Sequence, residues 1–108
     1  LGRYRVNLAD LERIGVSAIL DGIRDADVVV VDEVGPMELF SRKFRDAVER
    51  LLNSDKHAVL TVHYRSRDEL AMKVRRLAGD NLITLNQMNR DEVPRIIVGK
   101  ILEALGKR

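Results

Sequence analysis

The chain contains no cysteine and only 4% aromatic residues, it has no long apolar run, and its charges nearly balance. Each shortage closes off an explanation. Without cysteine, disulfides are excluded and a thiolate metal site is impossible. No stretch of about 18 apolar residues is present, so no membrane span is expected. No signal-peptide pattern opens the chain, and a cytoplasmic location is the default expectation. Nineteen basic against seventeen acidic residues leave a formal net charge of +2. Strong nucleic-acid binders concentrate a basic face. Here the signs alternate, as in Arg42, Lys43, Arg45, Asp46, Glu49 and Arg50, which reads as a solvated helix surface. The first residue is Leu1 rather than Met, so the chain is expected to be processed, trimmed or incomplete.

What remains is the material of a globular α/β domain. The 108 residues are 45% hydrophobic and 33% charged, with an apolar content made mostly of Val, Ile and Leu. That is enough for one compact domain with its own core, strands covered by helices.

Leu8, Leu11, Val16, Ile19, Leu20 and Ile23 recur at helical spacing, with Asn7 as a candidate N-cap and Gly22 near the end. Val28 to Val31 is an unbroken β-branched run between Asp27 and Asp32, the pattern of a strand buried on both faces in a parallel sheet. The turn Val34-Gly35-Pro36 is expected to stop it. Met37, Phe40, Phe44, Val48, Leu51 and Leu52 then give a second helix, closed by Asn53-Ser54-Asp55.

Ala58 to Val62 is a second strand, reaching His63. Ser66 and Glu69 have capping-box spacing before a third helix with Leu70, Val74 and Leu77 on one stripe, and Gly79 sits at its C-cap. Leu82 to Leu85 is expected to be a third strand. A fourth helix starts at about Arg90, with Asn89 or Asp91 as its cap, and carries Ile97, Ile101 and Leu105; Pro94 is tolerable only in its first turn. Strands alternating with helices imply right-handed crossovers and a three-layer α/β fold with a parallel sheet.

In open α/β sheets, ligands bind at the carboxyl ends of strands. At the end of Val28–Val31 stand Asp32 and Glu33. A hydrophobic strand ending in an acidic pair is the Walker B pattern. Its Asp holds Mg²⁺, usually through water, and the adjacent Glu can polarise the water that attacks a γ-phosphate. By itself the pattern is weak, since many strands end in a carboxylate that merely caps the next turn.

The continuation is more specific. Asp32-Glu33-Val34-Gly35-Pro36-Met37-Glu38-Leu39-Phe40-Ser41, followed by Phe44, resembles the signature of the nucleoside-triphosphatase family of thermophilic archaea and bacteria. The human cancer-related nucleoside triphosphatase belongs to the same family. Gly2 to Val6, Val59 to His63 and Asn89-Arg90-Asp91 are similar to further family segments, so the resemblance covers nearly the whole chain. It implies Mg²⁺-dependent hydrolysis of nucleoside triphosphates to diphosphate and phosphate, with broad base tolerance. It also implies a P-loop-type fold, Asp32 as the metal-site aspartate and Glu33 as the catalytic glutamate. In that class a polar residue at the tip of the strand after Walker B often senses the γ-phosphate, and His63 occupies that tip, with Thr61 one pleat inward. Asn89 and Arg90 are the nucleotide-contact candidates; the alternative for Arg90 is a salt bridge at a helix start. Glu38 reads as charge compensation at a helix N-terminus. Arg65 and Arg67 follow His63 and either could reach phosphate. His57 is given no role.

The phosphate-binding loop that defines this family is not among the 108 residues; Val98-Gly99-Lys100-Ile101 has no upstream glycine and falls inside a helix. The expectation is therefore the carboxyl-terminal part of one P-loop domain, residues 1–108, inactive without an amino-terminal P-loop segment. By the strand order of the class, the missing strand lies between Ala58–Val62 and Leu82–Leu85. The gap is expected to destabilise the fragment, to let those two strands pair, or to draw in a partner strand.

Two other readings compete. One is a non-catalytic α/β interaction module that has lost nucleotide binding, disfavoured by the retention of both acids. The other is a nucleotide kinase or nucleic-acid-linked ATPase of the same class, using Lys73, Arg75 and Arg76 as a basic clamp; net charge does not support nucleic acid as a partner.

Overall fold

The computed structural model describes residues 11–106 apart from Met37, with side chains from Arg13 onward. Its elements run α1 (Val16–Asp25), β1 (Val28–Val34), α2 (Arg42–Leu52), β2 (His57–Val62), α3 (Glu69–Ala78) and α4 (Val93–Ala104). A π-helical turn, Leu11–Gly15, leads into α1, and short 3₁₀ turns occupy Glu38–Phe40 and Gly79–Asn81. The expectations placed on Gly2–Val6, Asn7 and Leu8 fall outside the described residues. No described helix is long and apolar enough to cross a membrane.

β1 and β2 pair in parallel, with Val28 opposite His57 and Val31 opposite Leu60. The class is α/β, as the alternation of patterns implies. Val29, Val31 and Val34 point into one core with Ile19 of α1, Phe44, Ala47, Val48 and Leu51 of α2, and Leu70 of α3. The parallel pair needs a crossover, and α2 supplies it, burying its apolar stripe against β1. α1 continues through Gly22 to Asp25 rather than stopping at the glycine. A Cβ on Gly22 would stand 3.0 Å from Val29 Cγ2, so the bare backbone lets the helix lie close to the strand. Lys56 Nζ donates to Ala26 O (2.6 Å), tying the start of β2 to the α1–β1 turn.

Several expectations are corrected. β1 is not buried on both faces: Val30 is 65% exposed, because no described element covers its side of the sheet. The second helix begins at Arg42, not Met37. Ser41 is buried and its Oγ accepts from Phe44 N–H (3.1 Å), and Phe40 lies 79% exposed before the cap. The cap of α3 is Asp68, whose Oδ1 accepts from Leu70 N–H (2.8 Å), while Ser66 Oγ accepts from Asp68 N–H. Leu77 is exposed, and Ala71 takes the third buried place beside Leu70 and Val74.

Gly79 has φ +53°, as a glycine cap allows, but ψ −123° leads it into the 3₁₀ turn. Neither Asn89 nor Asp91 caps α4 with its side chain: Glu92 stands at the cap, and Pro94 falls in the first turn. Leu82–Leu85 is irregular and unpaired, and is no strand. A strand requires a hydrogen-bonding neighbour, and β2 has only β1. Of the three outcomes expected of the gap, the pairing of this segment with β2 does not occur.

α2 and α3 are joined by ion pairs. Arg45 holds Asp68 through both oxygens (2.8 and 3.0 Å), and Lys73 meets Glu49 at 2.5 Å. The Arg45 hydrogen bond holds the Asp68 carboxyl below the usual aspartate range of about 4, against an opposing effect of desolvation. A depressed folded-state pKa gives stability that is complete above the unfolded value and is lost as pH falls through the folded one. Asn caps a helix as well as Asp does. Asp68→Asn should therefore cost under about 1 kcal/mol at pH 7, and urea titrations should show the difference from wild type shrinking as pH falls below the usual aspartate range. Asp68→Ala, which also removes the cap, should cost about 1 kcal/mol more at every pH. Amide exchange offers a second check: Ile83–Leu85 should exchange at loop rates while Val29–Val31 and Leu60 remain protected in the 108-residue chain.

Candidate active site at the carboxyl end of the sheet

The strand register explains why two consecutive acids face outward. Val31 pairs with Leu60 and Val34 with Val62, so Asp32 and Glu33 together oppose Thr61. Strict alternation would send one acid inward. The extra residue forms a β-bulge, which leaves both carboxylates exposed and returns Val34 to the core with no exposed surface. The peptide joining the two acids is cis.

Each acid has its own support. Thr61 Oγ1 donates to Asp32 Oδ1 (2.8 Å), so the neighbouring strand fixes one carboxylate oxygen and leaves the other open. Glu33 lies over Gly35: a Cβ there would stand 3.1 Å from Glu33 Cγ and 3.3 Å from its Cδ. It would also meet Glu38 Oε1 at 2.7 Å. Gly35 is buried, and its N–H donates to that same Glu38 oxygen (3.1 Å). Glu38 thus closes the turn after the acids; the charge-compensation role expected of it is less specific than this bond.

His63 follows β2 at the same end of the sheet. Its Nδ1 accepts from Arg65 N–H (3.2 Å), which places the ring proton of the neutral imidazole on Nε2. The ring stacks on Tyr64, with centroids 5.4 Å apart, and the Arg65 guanidinium lies 5.2 Å from the Tyr64 centroid. Arg65 is therefore engaged with Tyr64, and Arg67 is exposed. The basic residues of α3 do not form a patch. Lys73 pairs with Glu49, Arg75 donates to backbone carbonyls of residues 63, 64 and 66, and Arg76 alone is open.

Asn89 and Arg90 sit on a different segment, ahead of α4. The Asn89 amide is occupied within its own turn, with Nδ2 donating to Thr84 O (2.9 Å) and Oδ1 accepting from Asn86 N–H (2.8 Å). Arg90 is exposed and makes no ion pair among the described residues. It lines an open recess of about 220 Å³ with Leu85, Asn86 and Gln87. No hydrogen bond joins this turn to Asp32 or Glu33. The sheet end thus gathers Asp32, Glu33 and His63, and leaves Asn89 and Arg90 on separate backbone.

Sequence reasoning had Thr61 next to His63 but not its bond to Asp32. A threonine opposite the acid pair in register was the available signal. It missed Arg75 as a loop-binding residue, because nothing in sequence shows a guanidinium reaching carbonyls nine to twelve residues upstream.

A parallel strand pair flanked by helices, with its exposed acids at the carboxyl end, has the α/β organisation of P-loop-type proteins. The chain belongs to the NTPase family, whose model matches residues 1–98. It is 46% identical over 106 residues to nucleoside-triphosphatase THEP1 of Methanosarcina acetivorans, covering 98% of this chain and 59% of that protein. It is 41% identical to THEP1 of Methanopyrus kandleri, covering 100% of this chain and 60% of the relative. In structure it is similar to THEP1 from the hyperthermophile Aquifex aeolicus, with a TM-score of 0.77 and 34% identity over 94% of this chain and 62% of that one. The chain spans about three fifths of the length of the proteins it matches.

Gly35→Ala tests the local geometry. The added methyl cannot fit without moving Glu33 or breaking the Glu38 bond, so the carboxylate should shift while the core stays intact. Crystallography of the variant, with a melting temperature within a few degrees of wild type, would show it; a structure in which Glu33 and the Glu38 bond both stay in place would contradict the packing.

Proposed function

We propose that this chain supplies the acid-bearing part of a nucleoside-triphosphatase active site, hydrolysing nucleoside triphosphates to diphosphate and phosphate. The observation that carries the reading is the bulge that presents Asp32 and Glu33 side by side, with Asp32 held across the sheet by Thr61.

Glu33 is the general base. It takes a proton from water as the water oxygen bonds to the γ-phosphorus; the bond from that phosphorus to the bridging oxygen breaks, and the diphosphate leaves. General-base assistance of this kind contributes roughly 10²–10⁴-fold. His63 donates from Nε2 to a γ-phosphate oxygen, an orientation that the Arg65 N–H favours. Arg90 meets the nucleotide through the recess it lines, and Asn89 keeps that turn in shape.

Asp32 suits Mg²⁺. Its donors are hard oxygens, and a single carboxylate with one oxygen already oriented by Thr61 is a sparse donor set. A cation held by one carboxylate together with waters and phosphates fits that sparse set. When bound, Mg²⁺ would neutralise charge on the phosphates. The reading also requires a glycine-rich phosphate loop from sequence outside these residues, so the 108-residue chain alone should turn over no nucleotide. The uncovered Val30 face and the open edge of β2 leave room for such further structure.

The test is steady-state phosphate release by the full-length protein containing this chain. Glu33→Gln should lower kcat at least a hundredfold with little change in KM. Near-normal turnover by that variant would remove Glu33 from its role. Asp32→Asn should raise the Mg²⁺ concentration needed for half-maximal activity by tenfold or more, and an unchanged requirement would move the cation elsewhere.

A further inference from the structure

Arg75 is the least expected polar residue in this part of the fold. It lies in the last turn of α3, is half-buried, and forms no ion pair among the described residues. Its guanidinium is directed entirely at main chain. Nη1 donates to His63 O (3.1 Å) and lies 3.5 Å from Tyr64 O, and Nη2 donates to Ser66 O. These carbonyls belong to the loop that leaves β2, and turning the chain there directs them away from any sheet partner. A rigid planar fork with five donors can gather several carbonyls at once; an ammonium on a flexible stem acts as a point charge.

The same loop carries the Arg65 N–H that accepts no other duty than holding His63 Nδ1. The imidazole therefore depends on two successive links: Arg75 fixes the path of residues 63–66, and that path places the Arg65 N–H against the ring. The loop's far end is held independently, by Arg45 on Asp68.

We infer that Arg75 is a positioning residue for phosphate recognition, acting from α3 through the backbone of residues 63–66 to set the orientation and tautomer of His63. The inference rests on the reading of His63 as a γ-phosphate donor. Arg75 itself touches no substrate. It sets the fraction of molecules in which Nε2 carries the proton and faces the end of the sheet where Asp32 and Glu33 stand.

The experiment uses the full-length protein, with Mg²⁺ and ATP as the probe substrate. Arg75→Ala should lower kcat about tenfold while KM for ATP stays within about twofold, and Arg75→Lys should recover less than a third of the loss. In a His63→Ala background, Arg75→Ala should have less than a twofold further effect. Imidazole ¹⁵N spectra should show His63 losing its Nε2–H preference in Arg75→Ala, and circular dichroism melts establish that each variant is folded at the assay temperature.

Wild-type kcat in Arg75→Ala, a full tenfold loss that persists without His63, or an unchanged His63 tautomer would each overturn the inference. If Arg75→Ala does not fold, Arg75→Lys and the His63 spectrum decide it alone. Glu33→Gln separates the two levels. Loss of turnover in that variant together with normal turnover in His63→Ala leaves the hydrolase standing and removes the role of Arg75; normal turnover in Glu33→Gln removes the hydrolase reading itself.

Discussion

The bulge in β1 is the constraint from which the site follows. A strand packed against helices on one face has a two-residue period, and Val29 and Val31 obey it. Had the period continued, Glu33 would have been forced toward Phe44 and Val48, where an unpaired carboxylate costs several kcal/mol. One extra residue resolves the conflict. It leaves both acids in solvent at the sheet's end and returns Val34 to the apolar interior, so that the core remains closed beneath a charged rim.

The helices hold that rim in place from below. α2 buries Phe44, Ala47, Val48 and Leu51 against the sheet, and Ser41 fixes where its first turn begins. Because α2 starts there, Glu38 lies outside it, and its carboxylate accepts from Gly35 N–H beside Glu33. Stability and chemistry are thereby separated: the valines and α2 supply cohesion, while the turn between them shapes the acids' surroundings.

Much of this was legible in the residues, and the failures have physical causes. The run Val28–Val31 marks the strand, the two acids after it mark the exposed end of the sheet, and the ten-residue signature that follows points to the family. Burial of Val30 could not be read, because an all-valine run looks the same whether one face is covered or both. The bulge was hidden too, since register depends on β2, which is distant in sequence. Ser66 and Asp68 are both good caps, and only Arg45, twenty-three residues upstream of Asp68, decides between them. Leu82–Leu85 has the composition of a strand but no neighbour to bond, and composition alone does not make a sheet. The roles of Asn89 and Arg90 diverge for a related reason: one amide is absorbed by its own turn, while the adjacent guanidinium stays open.

The ion pair between Arg45 and Asp68 has a consequence for the passage from β2 to α3. One abutment of that span is the Asp68 carboxylate, anchored to α2; the other is the strand end carrying His63. Fixing both abutments removes part of the span's conformational entropy before any ligand arrives. A phosphate reaching this end of the sheet would therefore meet a surface whose ordering cost had been partly met during folding, and more of its contact energy would remain to distinguish one ligand from another.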